Sequence, residues 1–187
     1  MSRNDQTRET PRGAATVSLM NKKYILIGVI VVLVIVGILA SSMKSPQRFV
    51  QNASIGNQFE IMSSQVALQR SKNKEVTDFA QQMIDDHTHA ADQLKTVVSG
   101  AGSNLPQPTD KLDAKHQDML DKLNAASDQD FDKLYIDDQV SAHNEAVSLF
   151  DSYAQHGSND ALKNFAATTL PTLQQHQQHV QQIKASF

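Results

Sequence analysis

The chain contains no cysteine and no tryptophan, and only five of its 187 residues are proline and seven are glycine. Without cysteine it can form neither disulfide bonds nor thiolate metal sites, and it can use neither thiol catalysis nor lipid attachment through a thiol. Scarce proline and glycine leave room for long helices, because these residues most often interrupt them. Apolar residues make up 40% and charged residues 20% of the chain, which indicates a globular fold rather than disorder.

Clustered basic residues are also missing from the long C-terminal part, where acids outnumber bases from Lys44 onward. A nucleic-acid-binding protein needs clustered lysine and arginine to neutralise phosphates. The sequence has no GxSxG motif, no phosphate-binding loop and no HExxH motif. We therefore predict that nucleic acid is not a partner, and that the chain is not a hydrolase of these types.

An uncharged apolar segment, ILIGVIVVLVIVGILA, runs from Ile25 to Ala40. At a rise of ~1.5 Å per residue, its helix approaches the ~30 Å thickness of a bilayer core. Five basic residues precede it, so the positive-inside rule places the N-terminus in the cytoplasm. We expect an anchor held by membrane lipid in a bacterial cell envelope, with the rest of the chain in the periplasm. A signal peptide cleaved near Ala40 is the alternative, and it also implies export.

The rest of the chain has apolar residues at three- and four-residue spacing, which is typical of helices. Ser45-Pro46 is a helix-start signal, and Gly157 is a helix stop. Asn73 and either Ser158 or Asn159 are candidate N-caps, and the Ser127–Asp130 pair matches a capping box. Four main helices with short connections predict an all-α fold, an antiparallel four-helix bundle with an extra short helix, preceded by a single transmembrane helix. The predicted main helices cover 46–69, 73–100, 127–157 and 158–183, and the short one covers 110–125. Pro171 should kink or split the last of them.

The domain order expected from these signals has four parts. They are a basic cytoplasmic tail over 1–23, a transmembrane or signal segment over 24–40, a linker over 41–45 and an exported helical domain over 46–187.

Each main helix carries one ionisable residue on its inward face. His87, His143 and His176 lie within apolar stripes, and Glu60 lies on a face of small residues. Three imidazoles and a carboxylate are a ligand set for Zn, Fe, Mn or Cu, and the core of a bundle is where such sites occur. The alternative is a structural polar layer, in which Glu60 bonds the rings and fixes helix register.

The other histidines lie on polar faces or near helix ends and are expected to be solvated; they are His89, His116, His156 and His179. Asp85 and Asp86, beside His87, are candidates for groups that orient an imidazole.

Four sequence blocks resemble an uncharacterised bacterial family. They read FVQNASIGNQFEI, FAQQMIDDHTHAADQL, FDKLYIDDQVSAHNEAVSLF and FAATTLPTLQQHQQHVQQI, within a match of about 46–183. The family is a domain of unknown function with a ferritin-like four-helix bundle, whose members are often described as outer-membrane or exported proteins. The resemblance implies an envelope location and a helical bundle, but no particular activity. Di-iron bundles use Glu-x-x-His motifs, which this sequence lacks, so a di-iron enzyme is not expected.

Two functions remain open from the sequence. The first is a non-enzymatic, membrane-anchored envelope module, related to stress or to the cell surface, that binds another envelope protein. The second is a mononuclear metal-binding protein for storage, sensing or redox work, with Glu60, His87, His143 and His176 as ligands.

The predicted topology is tested by reporters fused after Phe187. A reporter that works only in the periplasm should be active, and one that works only in the cytoplasm should be silent, because the basic residues before Tyr24 hold the N-terminus inside. The opposite pattern would refute the assignment. If the mature protein begins near Ser41, the apolar segment is a cleaved signal peptide and not an anchor, and export is still supported.

Overall fold

The computed structural model describes residues 45–100 and 105–187, together with Tyr24 and Ile27. Over the two long ranges the chain forms five α-helices and no strand. The helices are α1 (Pro46–Arg70), α2 (Lys74–Gly100), α3 (Ala114–Ala125), α4 (Phe131–His156) and α5 (Asp160–Lys184). The prediction of an all-α fold with four long helices and one short helix is confirmed for this part of the chain.

The N-terminal predictions are not tested in this way. No helix of the described part has the length and apolar character needed to cross a membrane. The predicted membrane segment over 24–40 lies outside the described residues, apart from Tyr24 and Ile27.

The starts of α1, α2 and α5 follow predicted capping residues. Ser45 Oγ accepts a hydrogen bond from the backbone N–H of Arg48 at 3.4 Å, with Pro46 in the first turn. Asn73 Oδ1 and Asn159 Oδ1 cap α2 and α5 at 2.9 and 3.0 Å. Each of these side chains satisfies a backbone donor that the first turn leaves free.

Two predicted boundaries were wrong. The short helix begins at Ala114 and not at 110, because Asp113 is its N-cap and accepts a bond from the backbone of His116 at 2.9 Å. The Ser127–Asp130 pair forms, with 2.6 Å between Oγ and Oδ2, but it closes a turn before α4 begins at Phe131.

Pro171 does not split the last helix, contrary to that form of the prediction, because α5 runs through it without a break. Proline removes one backbone donor and leaves the carbonyl of Ala167 without its helical partner. Both Pro171 and Ala167 are exposed, so water can satisfy that carbonyl. Buried residues on the other face, Ala166 and Leu173, hold the helix against its neighbours.

Two hairpins build the bundle. Three-residue connections, 71–73 and 157–159, join α1 to α2 and α4 to α5, and the helices of each pair therefore run in opposite directions. α1 also packs against α4, and α2 against α5, so each long helix has two long neighbours. α3 lies against α1 and α4.

The core consists of two apolar clusters. One contains Phe49, Val50, Leu94, Val98, Phe150, Tyr153, Leu162 and Phe165, among others. The second contains Val76, Phe79, Met83, Leu123, Phe131, Tyr135, Ile136, Val180 and Ile183, among others. They occupy opposite halves of the long helices, and the middle of the helices supplies buried polar residues instead.

Substitution of two glycines by alanine should change stability in opposite directions. A Cβ added at Gly56, inside α1, would meet no atom within 4 Å, whereas a Cβ at Gly157 would lie 2.5 Å from Cε1 of Tyr153. The Tyr153 ring cannot retreat, because it stacks on Phe49 with 4.0 Å between centroids. Gly56→Ala should raise the free energy of unfolding by ~0.5–1 kcal/mol through helix propensity. Gly157→Ala should lower it by ~1–3 kcal/mol through overpacking.

Urea denaturation followed by circular dichroism measures both changes. Equal effects of the two substitutions would contradict this packing.

Candidate functional site

The structure brings the four predicted inward residues together between the two apolar clusters. Glu60, His87, His143 and His176 come from the middle of α1, α2, α4 and α5, and each is at most 3% exposed. The centroids of the three imidazole rings are 5.5 to 5.7 Å apart. The four side chains therefore form one buried layer, which we call the polar layer.

Two of the rings are held from outside by oxygen atoms that can only accept a hydrogen bond. Nδ1 of His143 lies 2.9 Å from the backbone carbonyl oxygen of Gln139, one turn earlier on α4. Nε2 of His176 lies 2.8 Å from Oδ2 of Asp86 on α2. Each of these ring nitrogens must donate, so it carries the proton of the neutral ring.

The third ring is held in the same way by Asn57. Nδ1 of His87 lies 2.9 Å from Oδ1 of Asn57, and the amide nitrogen of Asn57 donates to the backbone carbonyl of His87 at 2.9 Å. The second bond fixes the orientation of the amide, so its oxygen faces the ring. His87 therefore also carries its proton on the outer nitrogen.

The remaining ring nitrogens have lone pairs and no partner. Nε2 of His87, Nε2 of His143 and Nδ1 of His176 are buried and make no hydrogen bond with any residue that the structure describes. One ligand atom from each histidine lies within 4.8 Å of those from the other two. Tetrahedral coordination at ~2.1 Å separates ligand nitrogens by ~3.4 Å, so an ion would draw the rings together by about 1 Å.

Glu60 does not lie at the centre of this group. Its Oε2 is 3.2 Å from Nδ1 of His87, and its Oε1 is 3.3 Å from Nδ1 of His143. These are the outer nitrogens, which also bond Asn57 and Gln139. The carboxyl group therefore contacts the backs of two rings, and its predicted role as a fourth ligand stays a prediction.

Burial sets the charge of the polar layer. It raises the pKa of Glu60 to about 8. It lowers the pKa of His143 to about 4, and burial together with the neighbouring rings lowers the pKa of His87 well below its usual value. Burial also lowers the pKa of His176, although Asp86 opposes the shift. At neutral pH the rings are therefore neutral and their lone pairs are available to an ion.

Further buried polar residues lie next to the polar layer, and of these the sequence had placed only Ser64 on an inward face, among the small residues around Glu60. Gln139 donates to Ser63 Oγ at 3.0 Å, and Tyr135 Oη and Ser64 Oγ lie 2.9 Å apart, with all four residues buried. Gln139 lies four residues before His143, and Asn57 three before Glu60. That helical spacing places Gln139 on the face of His143, and Asn57 on the face of Glu60, and was the available signal.

The candidate orienting acids behave differently from each other. Asp86 does orient an imidazole, but on His176 and not on its chain neighbour His87. Asp85 faces outward and accepts a hydrogen bond from Gln81 at 2.9 Å.

Two of the four outer histidines, His89 and His156, are exposed, as expected. His116 was wrongly predicted to be solvated: its side chain is 14% exposed, and its Nδ1 lies 2.6 Å from Oδ1 of Asp113. It is covered because α3 lies against α1, where its ring approaches Phe59 at 5.3 Å. His179 is half-buried and meets the ring of Phe79 edge-on at 5.3 Å.

A cavity of about 520 Å³ lies beside the polar layer. All four long helices line it, and its buried lining includes Glu60, His87 and His176. Its exposed lining includes Asp113, Lys115 and Glu145. The cavity thus extends from the surface to the edge of the polar layer.

The raised pKa of Glu60 predicts a pH dependence for metal-free protein. Between pH 6.5 and 8 the native state keeps a proton on Glu60 that the unfolded chain has lost, so stability falls as pH rises, by up to about 1.4 kcal/mol per unit. The lowered pKa values of the three rings act below pH 6.5, where stability falls as pH falls.

Urea midpoints measured with chelator, for wild type and Glu60→Gln, separate the two effects. Both proteins should lose stability below pH 6.5. Wild type should show a steeper fall than Glu60→Gln between pH 6.5 and 8, and parallel curves there would contradict the assignment.

Comparison with known proteins adds two findings. CopM in the Cu(II)-bound form is similar in structure, with a TM-score of 0.63 and 18% sequence identity over 75% of this chain and 96% of the CopM chain. At this identity the similarity shows a shared fold. No curated protein matches the chain. The model of a domain of unknown function, DUF4142, matches residues 39–183. The chain therefore belongs to the DUF4142 family, as the resemblance of its four sequence blocks predicted.

Proposed function

We propose that the bundle binds one divalent first-row transition-metal ion between His87, His143 and His176. One observation carries the proposal. One ligand atom of each ring lies within 4.8 Å of those of the other two, and within the described residues one buried nitrogen of each ring has no partner, while the opposite nitrogen is held by an oxygen acceptor. Metal-ligating histidines are commonly oriented in this way, with the outer N–H donated to a carbonyl or a carboxylate.

The energetic cost of the unpartnered atoms supports this function. A buried acceptor without a partner costs about 1–3 kcal/mol, and the polar layer contains three such nitrogens close together. Their lone pairs also repel one another. A cation at the centre would satisfy all three, and a proton would satisfy only one at a time.

The donor set narrows the choice of ion. Imidazole nitrogens without thiolates suit Cu²⁺, Zn²⁺, Ni²⁺ and Fe²⁺, whereas Mn²⁺ prefers oxygen ligands. Among divalent ions Cu²⁺ binds nitrogen sites most tightly. Similarity to CopM, a protein solved with Cu(II), also supports copper. We therefore propose Cu²⁺ as the preferred ion, with Zn²⁺ next.

The role we propose is binding for storage or sensing, not catalysis. A di-iron site is disfavoured because Glu60 is the one carboxylate buried in the polar layer. We further propose that the domain is anchored in a bacterial envelope and faces the periplasm. The basic tail and the apolar segment over 25–40 support this location.

A structural polar layer is the competing function. The contacts of Glu60 with His87 and His143 would serve helix register equally well with no ion present. Binding of a stabilising ion separates the two proposals.

Thermal melting with chelator and with added ions tests metal binding. An ion at 100 times its Kd stabilises the native state by about 2.7 kcal/mol, which corresponds to a rise in Tm of roughly 5–10 °C. His87→Ala, His143→Ala and His176→Ala should each remove this rise. His156→Ala, on an exposed residue at the end of α4, should keep it.

The quantity to compare between variants is the rise in Tm that the ion causes. The Tm itself is not sufficient, because truncating a buried ring also lowers the Tm of metal-free protein. Electron paramagnetic resonance of the Cu²⁺ form should show coupling to ring nitrogens. Absence of any ion-dependent shift in wild type would leave the structural polar layer as the function. Loss of the shift in Glu60→Gln, with the fold intact, would make Glu60 a ligand.

A further inference from the structure

We propose that the cavity beside the polar layer is the route by which the divalent cation enters, and that His176, latched by Asp86, is its inner gate. This inference rests on the proposed function, since it concerns access to the same ion site. The cavity is otherwise unexplained: it reaches the polar layer from the surface, and no part of the metal site itself requires its volume.

The position of the cavity fits an entry route. Its buried lining includes His87 and His176, whose inner nitrogens have no partner, and Glu60, whose Oε1 also makes no hydrogen bond. Its exposed lining includes Asp113 and Glu145. An ion can therefore travel from water to the backs of the ligands without crossing either apolar cluster.

The charge along the route favours a cation. Four carboxyl groups line the cavity, and because burial keeps that of Glu60 neutral at neutral pH, the negative charge comes from Asp86, Asp113 and Glu145. Lys115 is the one lysine or arginine among the lining residues, and both oxygens of Glu145 neutralise it at 2.6 Å, so the lining has an excess of negative charge. A cleft with an excess of one sign of charge raises the local concentration of counter-ions and their rate of entry.

Small residues keep the route open. Ala53 and Gly56 on α1, Ala90 on α2, and Ala142 and Ala146 on α4 line the cavity. At Gly56 even an added Cβ would meet nothing within 4 Å. A larger side chain at this position can therefore fill the route without moving the backbone.

The route stops short of the three inner nitrogens. Each of these atoms is fully buried, so a ring must move before an ion can pass. His143 is held by the backbone of Gln139 and does not line the cavity. His87 lines it, but its partner Asn57 is fixed by a second hydrogen bond, to the backbone carbonyl of His87. His176 also lines the cavity, and its latch Asp86 has a side chain that is 42% exposed, so we take His176 as the ring that moves.

Uptake and release of Cu²⁺ by the full-length chain, followed by the visible absorption of the bound ion, test the proposal. Gly56→Leu should slow uptake and release alike, by ~10-fold or more, and leave Kd unchanged, since a plug in a route raises the barrier in both directions. Gly100→Leu is the matched control, because this glycine also has free space but lies outside the cavity. It should exchange the ion at the wild-type rate.

The gate is tested by Asp86→Ala, which removes the acceptor of His176. Release should accelerate by ~10-fold or more, the size of effect that groups behind a ligand have on metal affinity. Asp85→Ala is the matched control, because the neighbouring acid bonds Gln81 and does not line the cavity. Its release rate should stay within about twofold of wild type.

The outcomes separate this inference from the proposed function. Wild type that binds no Cu²⁺ at equilibrium refutes the metal site itself. If wild type binds Cu²⁺, either of two results refutes the entry route alone. One is unchanged rates in Gly56→Leu, and the other is uptake that does not slow when added salt screens the carboxylates of the route. Equal release from Asp86→Ala and Asp85→Ala refutes the gate. Should Gly56→Leu fail to fold, Ala90→Leu on the facing wall makes the same test.

Discussion

Removing ionisable groups from water is the constraint on which the rest of this bundle depends. Glu60, His87, His143 and His176 are buried at the middle of four helices, where a charged group without a partner is costly. The structure meets that cost in two ways. Burial keeps the rings and the carboxyl group neutral at neutral pH, and each outer ring nitrogen has an oxygen acceptor. Both ways require the four helices to hold one register, with an apolar cluster on either side.

The same constraint prepares the site for a ligand. Because the outer nitrogens are fixed as donors, the inner nitrogens are fixed as acceptors, and the bundle holds three of them close together before any ion arrives. Such preorganisation lowers the cost of ordering on binding. The cavity and its carboxylates add a route of the right charge, and Asp86 belongs to both, as a lining group and as the partner of His176.

Much of the fold and part of the site could be predicted from the sequence. Helical periodicity identified the long helices, and Ser45, Asn73 and Asn159 marked their starts, since capping depends on residues within one turn. The inward faces of the three histidines were also predictable. Prediction of the site's contacts failed where the partners are distant in the chain. Asp86 was assigned to His87 but bonds His176, ninety residues away. The local pattern allowed Pro171 to split α5. This did not happen because Pro171 lies on the exposed face, and which face is exposed depends on packing and not on the local pattern.

By itself the sequence determined which residues lie on the inward face of each helix, because 3.6 residues per turn fix the face once a helix forms. Within each hairpin it also limited the level, because the short connections put Glu60 and His87, or His143 and His176, at similar distances from their turn. Only the tertiary structure decided that the two hairpins meet at one level, and that Glu60 contacts the backs of the rings instead of their inner nitrogens. Those outcomes depend on packing between α1 and α4 and between α2 and α5, which buries apolar side chains far apart in the chain and so sets a register that no local pattern contains.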